Sequence, residues 1–218
     1  MPRPADPTMG LQLVEAAARL LSEHGRHAVT ARRLATEVGA STQVLYTHFD
    51  GVDDLLAEVW REGFRRFGIA LEEPAVTSDP VADWAAQGWS YRRFVLENPH
   101  LYQAMFTDGL RAIRSGRLED HAAASATFTA LLVRIERCAT AGRWAVDDLF
   151  TAGEVVWASS HGHMMLELHD YFGGIGRDPE VTFVDCLRHL ALGYGDEREA
   201  VELSLKAARR RARRVEAA

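Results

Sequence analysis

The side chains best suited to chemistry cluster in the run WASSHGHMMLELH, from Trp157 to His169. His161, His163, Glu167 and His169 are all metal-ligating types, and His163 and Glu167, four residues apart, would share one face of a helix. His161 and His163 point in different directions, however, and no third ligand is spaced to close a tetrahedral site. HGHMM is also not HExxH. The expectation is no metal and no cofactor. Catalytic signatures are missing as well: no GxSxG, no CxxC, no phosphate-cradling glycine loop and no paired-carboxylate motif. Gly173-Gly174-Ile175-Gly176 lies between predicted helices with no strand before it, so it reads as a helix stop. Cys138 and Cys186 are too few and too far apart for a disulfide scaffold. The chain is not expected to be an enzyme.

The elements that carry these residues read as helices throughout. Leu13, Ala17, Leu20 and Leu21 recur at helical spacing and predict a first helix over about 9–24. Thr30 is a candidate N-cap for a helix to about Glu37, and Ser41 for one ending near Thr47. Leu55, Leu56, Val59, Trp60, Phe64 and Phe67 give the apolar face of a longer helix from Val52 to about Glu72. Asp79-Pro80 and Asn98-Pro99 each place proline at a first helical position, starting helices over about 80–97 and 99–106. A polar stretch from Asp108 to Arg117 separates these from helices over about 118–141, from Asp147 or Asp148 to Tyr171, from Pro179 to Leu192, and from Asp196 onward. No useful segment alternates with period two, so the expected fold class is all-α, without a sheet.

Composition bounds the rest. With 47% apolar and 26% charged residues in 218, the chain reads as a soluble globular protein. No apolar run approaches the ~18 residues of a membrane span, and the N-terminus lacks a signal peptide's apolar core. A cytoplasmic protein with no membrane partner is expected. The net charge of −6 is unevenly spread. Residues 1–49 carry +1, residues 50–205 carry −12, and the last 13 residues carry +5. A polyanion would therefore be tolerated at the head and repelled by the body. The Arg-rich end reads as a solvated, fraying helix terminus, with nonspecific nucleic-acid affinity as the alternative.

Residues 30–49 read TARRLATEVGASTQVLYTHF. Leu34, Val38 and Leu45 form a small core between two helices, Ala35 allows a close crossing, and Gly39 sits where a tight turn needs positive φ. The second helix of such a helix-turn-helix fits a major groove.

The first helix, this motif, Leu45-Tyr46-Thr47-His48-Phe49 and the amphipathic helix that follows resemble the TetR family of one-component transcriptional regulators. The family pattern is a small residue and glycine in the turn, then L-Y-x-H-F, then a short polar linker. Gly39, Leu45, Tyr46, His48, Phe49 and Leu55 match it, over about residues 7–67, and the remainder matches in size and helical character. The resemblance implies a flexible tail over 1–8, a three-helix DNA-binding head over 9–50 and a larger helical effector-binding and dimerisation body over 51–205. A basic tail over 206–218 completes the chain. It also assigns DNA-binding positions. Arg32 would reach a base edge, its guanidinium suiting guanine. Ser41, Thr42 and Gln43 open the recognition helix, Gln43 suiting adenine. Tyr46 would contact the DNA, and Thr30, Thr47 and His48 would meet phosphates. Arg33 and Glu37 are expected to be solvated or paired, and Phe49 to be core. One departure stands out: the family often carries Lys at the start of the fourth helix, and here Val52 stands there, before Asp53 and Asp54, which favour a helix N-terminus but would oppose a nearby phosphate.

In the body, Trp157…His161-Gly162 resembles the C-terminal domain of a subset of TetR-type regulators named for Trp, His and Gly. Trp84, Trp89, Tyr102, Phe106, Phe128, Trp157 and His161 are the candidates to line an effector pocket, although each alone is more often plain core. By resemblance, segments 147–171 and 179–194 pair with a second copy. The expected function is a sequence-specific DNA-binding transcriptional regulator, a repressor, acting as a homodimer on palindromic double-stranded operator DNA and released by a small, largely apolar effector. A helical interaction module without DNA binding is the alternative; it accounts for the acidic body but not for LYTHF behind a helix-turn-helix.

Overall fold

The computed structural model describes residues 7–107 and 118–216. The stretch Asp108–Arg117 and residues 1–6 of the expected N-terminal tail lie outside the described residues. The described residues contain helices and no strand. In chain order the helices are α1 (Pro7–His24), α2 (Ala31–Glu37), α3 (Gln43–His48), α4 (Val52–Glu72), α5 (Pro80–Glu97) and α6 (Pro99–Thr107). They continue with α7 (Leu118–Thr140), α8 (Leu149–Leu168), α9 (Tyr171–Gly174), α10 (Pro179–Gly193) and α11 (Arg198–Glu216). They fall into two compact units, one drawn from residues 1–66 and 98–124, the other from 67–97 and 125–218.

The first unit forms around α1. Leu13, Ala17, Leu20 and Leu21 meet Leu34, Leu45, Leu55, Val59, Leu101 and Ala104 in one buried cluster. α6 lies along α1, where the Ser22 hydroxyl and His100 Nδ1 stand 2.9 Å apart. Gly63 makes a close approach possible: a Cβ there would stand 2.5 Å from Met105 Cγ. The turn between α2 and α3 depends on Gly39, at φ 65°. Its N–H donates to the Thr36 carbonyl at 3.3 Å, and the Ala40 N–H to the Ala35 carbonyl at 2.9 Å. A side chain in this left-handed conformation is strained although space is open. Gly39→Ala is expected to lower stability by about 1 kcal/mol, measured by chemical denaturation, with Gly39→Asn costing less.

The second unit is organised on α5, which is buried along most of its length, from Pro80 to Val95. Asp79 caps it, its carboxylate accepting the Ala82 N–H at 3.0 Å, with proline at the first helical position. α11 packs along α5, and α7 from Ser125 onward, α8, α9 and α10 complete the unit. Cys138 is fully buried here, and burial pushes its thiol up to about 12, leaving it protonated and inert.

Two local expectations change. The helix expected to reach Tyr171 stops at Leu168, because Asp170 adopts a left-handed φ of 53° and starts the short α9, which buries Phe172. The basic terminus is also not a fraying end. α11 continues to Glu216, buries Val201, Leu205 and Ala208 on one stripe, and ties Arg209 to Glu180 at 2.7 Å and Arg211 to Asp83 at 2.8 Å. Its cations dock onto the body's excess of carboxylates.

Candidate nucleic-acid interface

The interface builds upward from the helix-turn-helix core. Thr30 caps α2, its hydroxyl accepting the Arg33 N–H at 3.3 Å. Leu34 and Leu45 are fully buried, and Val38, Val44 and Phe49 pack around them. With these apolar side chains turned inward, the 3.6-residue period turns Thr42, Gln43, Tyr46 and Thr47 outward. Tyr46 is 58% exposed, a high value for a large ring and consistent with a contact residue rather than core. Thr30 and Arg32 are exposed on α2 and its cap. The seven exposed positions Thr30, Arg32, Ser41, Thr42, Gln43, Tyr46 and Thr47 thus belong to one short motif.

Several details differ from the simple reading. Ser41 does not cap α3 through its side chain. The helix begins at Gln43 behind Thr42, which makes no side-chain cap bond, and the Ser41 carbonyl accepts the Val44 N–H at 3.0 Å. The Thr47 hydroxyl donates back to the Gln43 carbonyl at 3.0 Å, which orients it along the helix. His48 is half-buried; a Cβ on Gly10 of α1 would stand 3.5 Å from its Nδ1. The end of the recognition helix thus lies close to the first helix.

The acidic residues beside this motif are largely spoken for. Glu37 pairs with Arg19, and Asp53 pairs with Arg26. Asp54 accepts the Asp50 N–H at 3.2 Å and caps the entry into α4. The repulsion of a phosphate expected from Asp53 is thereby reduced, and the uncharged Val52 is the remaining departure. Val52→Lys is expected to tighten DNA binding and to steepen log K against log salt by about one unit per half-site. An unchanged slope in a salt series overturns that expectation.

The effector candidates fall into separate groups. Tyr102 and Phe106 belong to the first unit, with ring centroids 5.0 Å apart, and Phe106 meets Phe64 at 5.9 Å. Trp84 packs edge-on to Trp144 at 4.8 Å. Trp89 packs on Phe183 at 5.1 Å, under the Arg209 guanidinium at 4.2 Å. Phe128, Trp157 and His161 form a third group, Phe128 to Trp157 at 6.4 Å and Trp157 to His161 at 5.9 Å. Burial lowers the His161 pKa, so its ring is neutral near pH 7.

His163 sits on the buried face of α8, stacked on Phe172 at 4.9 Å, with Nε2 3.5 Å from Glu167. Glu167 in turn accepts Arg92 Nε at 2.9 Å. Among the described residues no group of three His, Cys, Asp or Glu side chains could hold a metal. Sequence reading missed the Arg92–Glu167 and Arg19–Glu37 pairs, because partners 75 and 18 residues apart leave no local signal.

Two family descriptions match the chain. Residues 13–59 match "Bacterial regulatory proteins, tetR family", and residues 84–190 match "Tetracyclin repressor-like, C-terminal domain". No curated protein matches in sequence. Among solved structures, the TetR family transcriptional regulator PfmR from Thermus thermophilus is 20% identical, with 85% of this chain and 95% of that chain covered and a TM-score of 0.64. The fatty acid degradation regulator FadR from Bacillus halodurans is 14% identical, with 89% and 100% covered and a TM-score of 0.72. RolR in complex with resorcinol is 18% identical, with 91% and 93% covered and a TM-score of 0.58. At these identities the likeness establishes the fold.

Proposed function

The chain belongs to the tetR family of bacterial regulatory proteins, and from that premise we propose that it is a repressor which binds a palindromic operator as a homodimer. The observation that carries this reading is the exposed row Thr42, Gln43, Tyr46 and Thr47, held out by the buried Leu34–Leu45 core. Tyr46 and Thr47 serve position, Gln43 and Arg32 serve sequence choice. One short recognition helix covers too few base pairs for specificity, so two copies on two half-sites are required.

The dimer reading is supported by α8. Its buried face carries Ala152, Val156, Ser160, His163 and Met164, whereas elsewhere on the helix Val155, Trp157 and Leu166 are exposed, and Ala158 and Gly162 leave a smooth strip. On α10, Val181 is 56% exposed. Apolar residues on both helices are what a second copy would cover. A Cβ at Gly162 would meet nothing within 4 Å in the monomer, so Gly162→Glu is expected to spare the fold and to shift the dimer to monomer. Sedimentation velocity reads this directly, and an unchanged dimer removes α8 from the interface.

The effector is proposed to be small and largely apolar, and to bind among the body's aromatic residues. RolR, which shares the fold, was captured with resorcinol. Effector binding favours one spacing of the two heads, and a spacing that mismatches the half-sites releases DNA. α4, continuous from Val52 to Glu72, is the proposed lever.

The test is binding of purified protein to the DNA upstream of its own gene, against a scrambled duplex, across a salt series. Preference for the native fragment is the expected result. Binding to neither duplex at low salt overturns the reading and favours an interaction module.

A further inference from the structure

A cavity of about 260 Å³ opens in the second unit between the α4–α5 loop, α5 and α11. Pro74, Ala86, Trp89 and Val215 supply apolar wall, Arg93 and Arg211 supply positive charge, and Glu73, paired with Arg93, lines it as well. Of the seven residues considered for an apolar effector, only Trp89 lines it.

The charges around this loop do not balance. Arg93 pairs with Glu73, a surface carboxylate. Arg211 shares Asp83 with Arg137, at 2.8 and 2.7 Å, and Arg211 also donates to the Ala75 carbonyl. Arg134 is 6% exposed and has no carboxylate partner among the described residues. Its Nη2 donates to the Pro74 carbonyl at 2.8 Å, while its Nη1 is buried with no hydrogen-bond partner among the described residues. Asp79, at the far end of the loop, is taken by Ser204 and Arg143. Four guanidinium groups thus surround two carboxylates, in a protein whose net charge is −6. A buried cation without a counter-ion is costly, and burial lowers the Arg134 pKa accordingly. Arg134 does not itself line the cavity, but Pro74, whose carbonyl it bonds, does.

Arg93 commits one hydrogen bond to Glu73, leaving further donors of its planar fork for a second acceptor. The cavity is smaller than the ~300 Å³ at which pockets for drug-sized ligands begin, so the ligand is small. From the apolar wall beside Arg93 and Arg211, the geometry points to a binding site for a small organic carboxylate, its charge on the two guanidinium groups and its apolar part against Trp89, Pro74 and Val215. This anion site is separate from DNA recognition and from the proposed apolar effector.

Titration calorimetry on the free full-length chain tests it without involving an operator. The probe is benzoate, compared with benzyl alcohol and inorganic phosphate. Saturable binding of benzoate at one site per chain is expected, with benzyl alcohol and phosphate each at least tenfold weaker. Arg93→Gln, whose partner lies at the surface, is expected to weaken benzoate at least tenfold. Ala212→Phe, which fills the cavity from α11 without removing a charged side chain, is expected to do the same. Circular dichroism checks that both variants fold. No saturable benzoate binding, equal binding of benzyl alcohol or of phosphate, or full affinity in either folded variant overturns the assignment.

Discussion

Gln43→Ala is expected to reduce discrimination between the native upstream DNA and a scrambled duplex by about 1.5 to 4 orders of magnitude, while binding to the scrambled duplex stays nearly unchanged. Gln43 is exposed at the first position of α3, and its amide can donate and accept together on an adenine edge. Each such bidentate contact is worth about 1–3 kcal/mol of discrimination, and a dimer loses two. Tyr46→Ala behaves differently: its ring is exposed but its expected role is positional, so both duplexes should bind more weakly. Equilibrium binding to the two duplexes separates these effects. Equal losses for Gln43→Ala on both would remove it from base reading.

The second large effect lies in the body, at Asp83. Its carboxylate is fully buried yet accepts the Thr77 N–H at 2.7 Å, the Thr77 hydroxyl at 2.8 Å, Arg137 at 2.7 Å and Arg211 at 2.8 Å. Burial alone would raise its pKa. The Thr77 N–H, the two guanidinium groups and the Thr77 hydroxyl outweigh burial and bring it down to about 2. Asp83→Ala leaves both cations and an amide without their acceptor. The expected cost is about 3 kcal/mol, the low end for a broken buried pair, because Arg137 and Arg211 keep part of their area in water.

The pH dependence follows from the sign of the shift. A carboxylate whose folded pKa is depressed stabilises the native state above its unfolded pKa near 3.8, and that stability is lost as pH falls towards 2. The linked contribution at neutral pH is roughly 2–3 kcal/mol. Wild type and Asp83→Asn should therefore differ widely in urea midpoint at pH 6 and converge as pH drops through 4 towards 2. A gap that stays constant over that range assigns the acid sensitivity to other carboxylates.

The helices of this protein were legible because their signals are local. Thr30 as a cap, Asp79-Pro80 as a start, Gly39 at the turn and the apolar period from Leu55 to Phe67 each act within a few residues of themselves. The fold class and the helix-turn-helix follow from them. So do the outward positions of Thr42, Gln43 and Tyr46, since inward Leu45 fixes the phase of α3.

What only the tertiary structure decided is which distant groups meet. The Arg-rich terminus reads as a solvated end because its own composition is polar. It becomes a packed helix because Asp83, 128 residues away from Arg211, and Glu180, 29 away from Arg209, supply acceptors. The aromatic residues of the body share one composition but separate into different contacts, since periodicity tells which face is apolar and not which neighbour covers it. Asp53 shows the same on the head: its sequence position predicts repulsion of a phosphate, and its pairing with Arg26, 27 residues earlier, is visible only in the fold. Local propensity and period are written along the chain, whereas charge pairing and packing depend on long-range approach, which one sequence read in order does not encode at any single position.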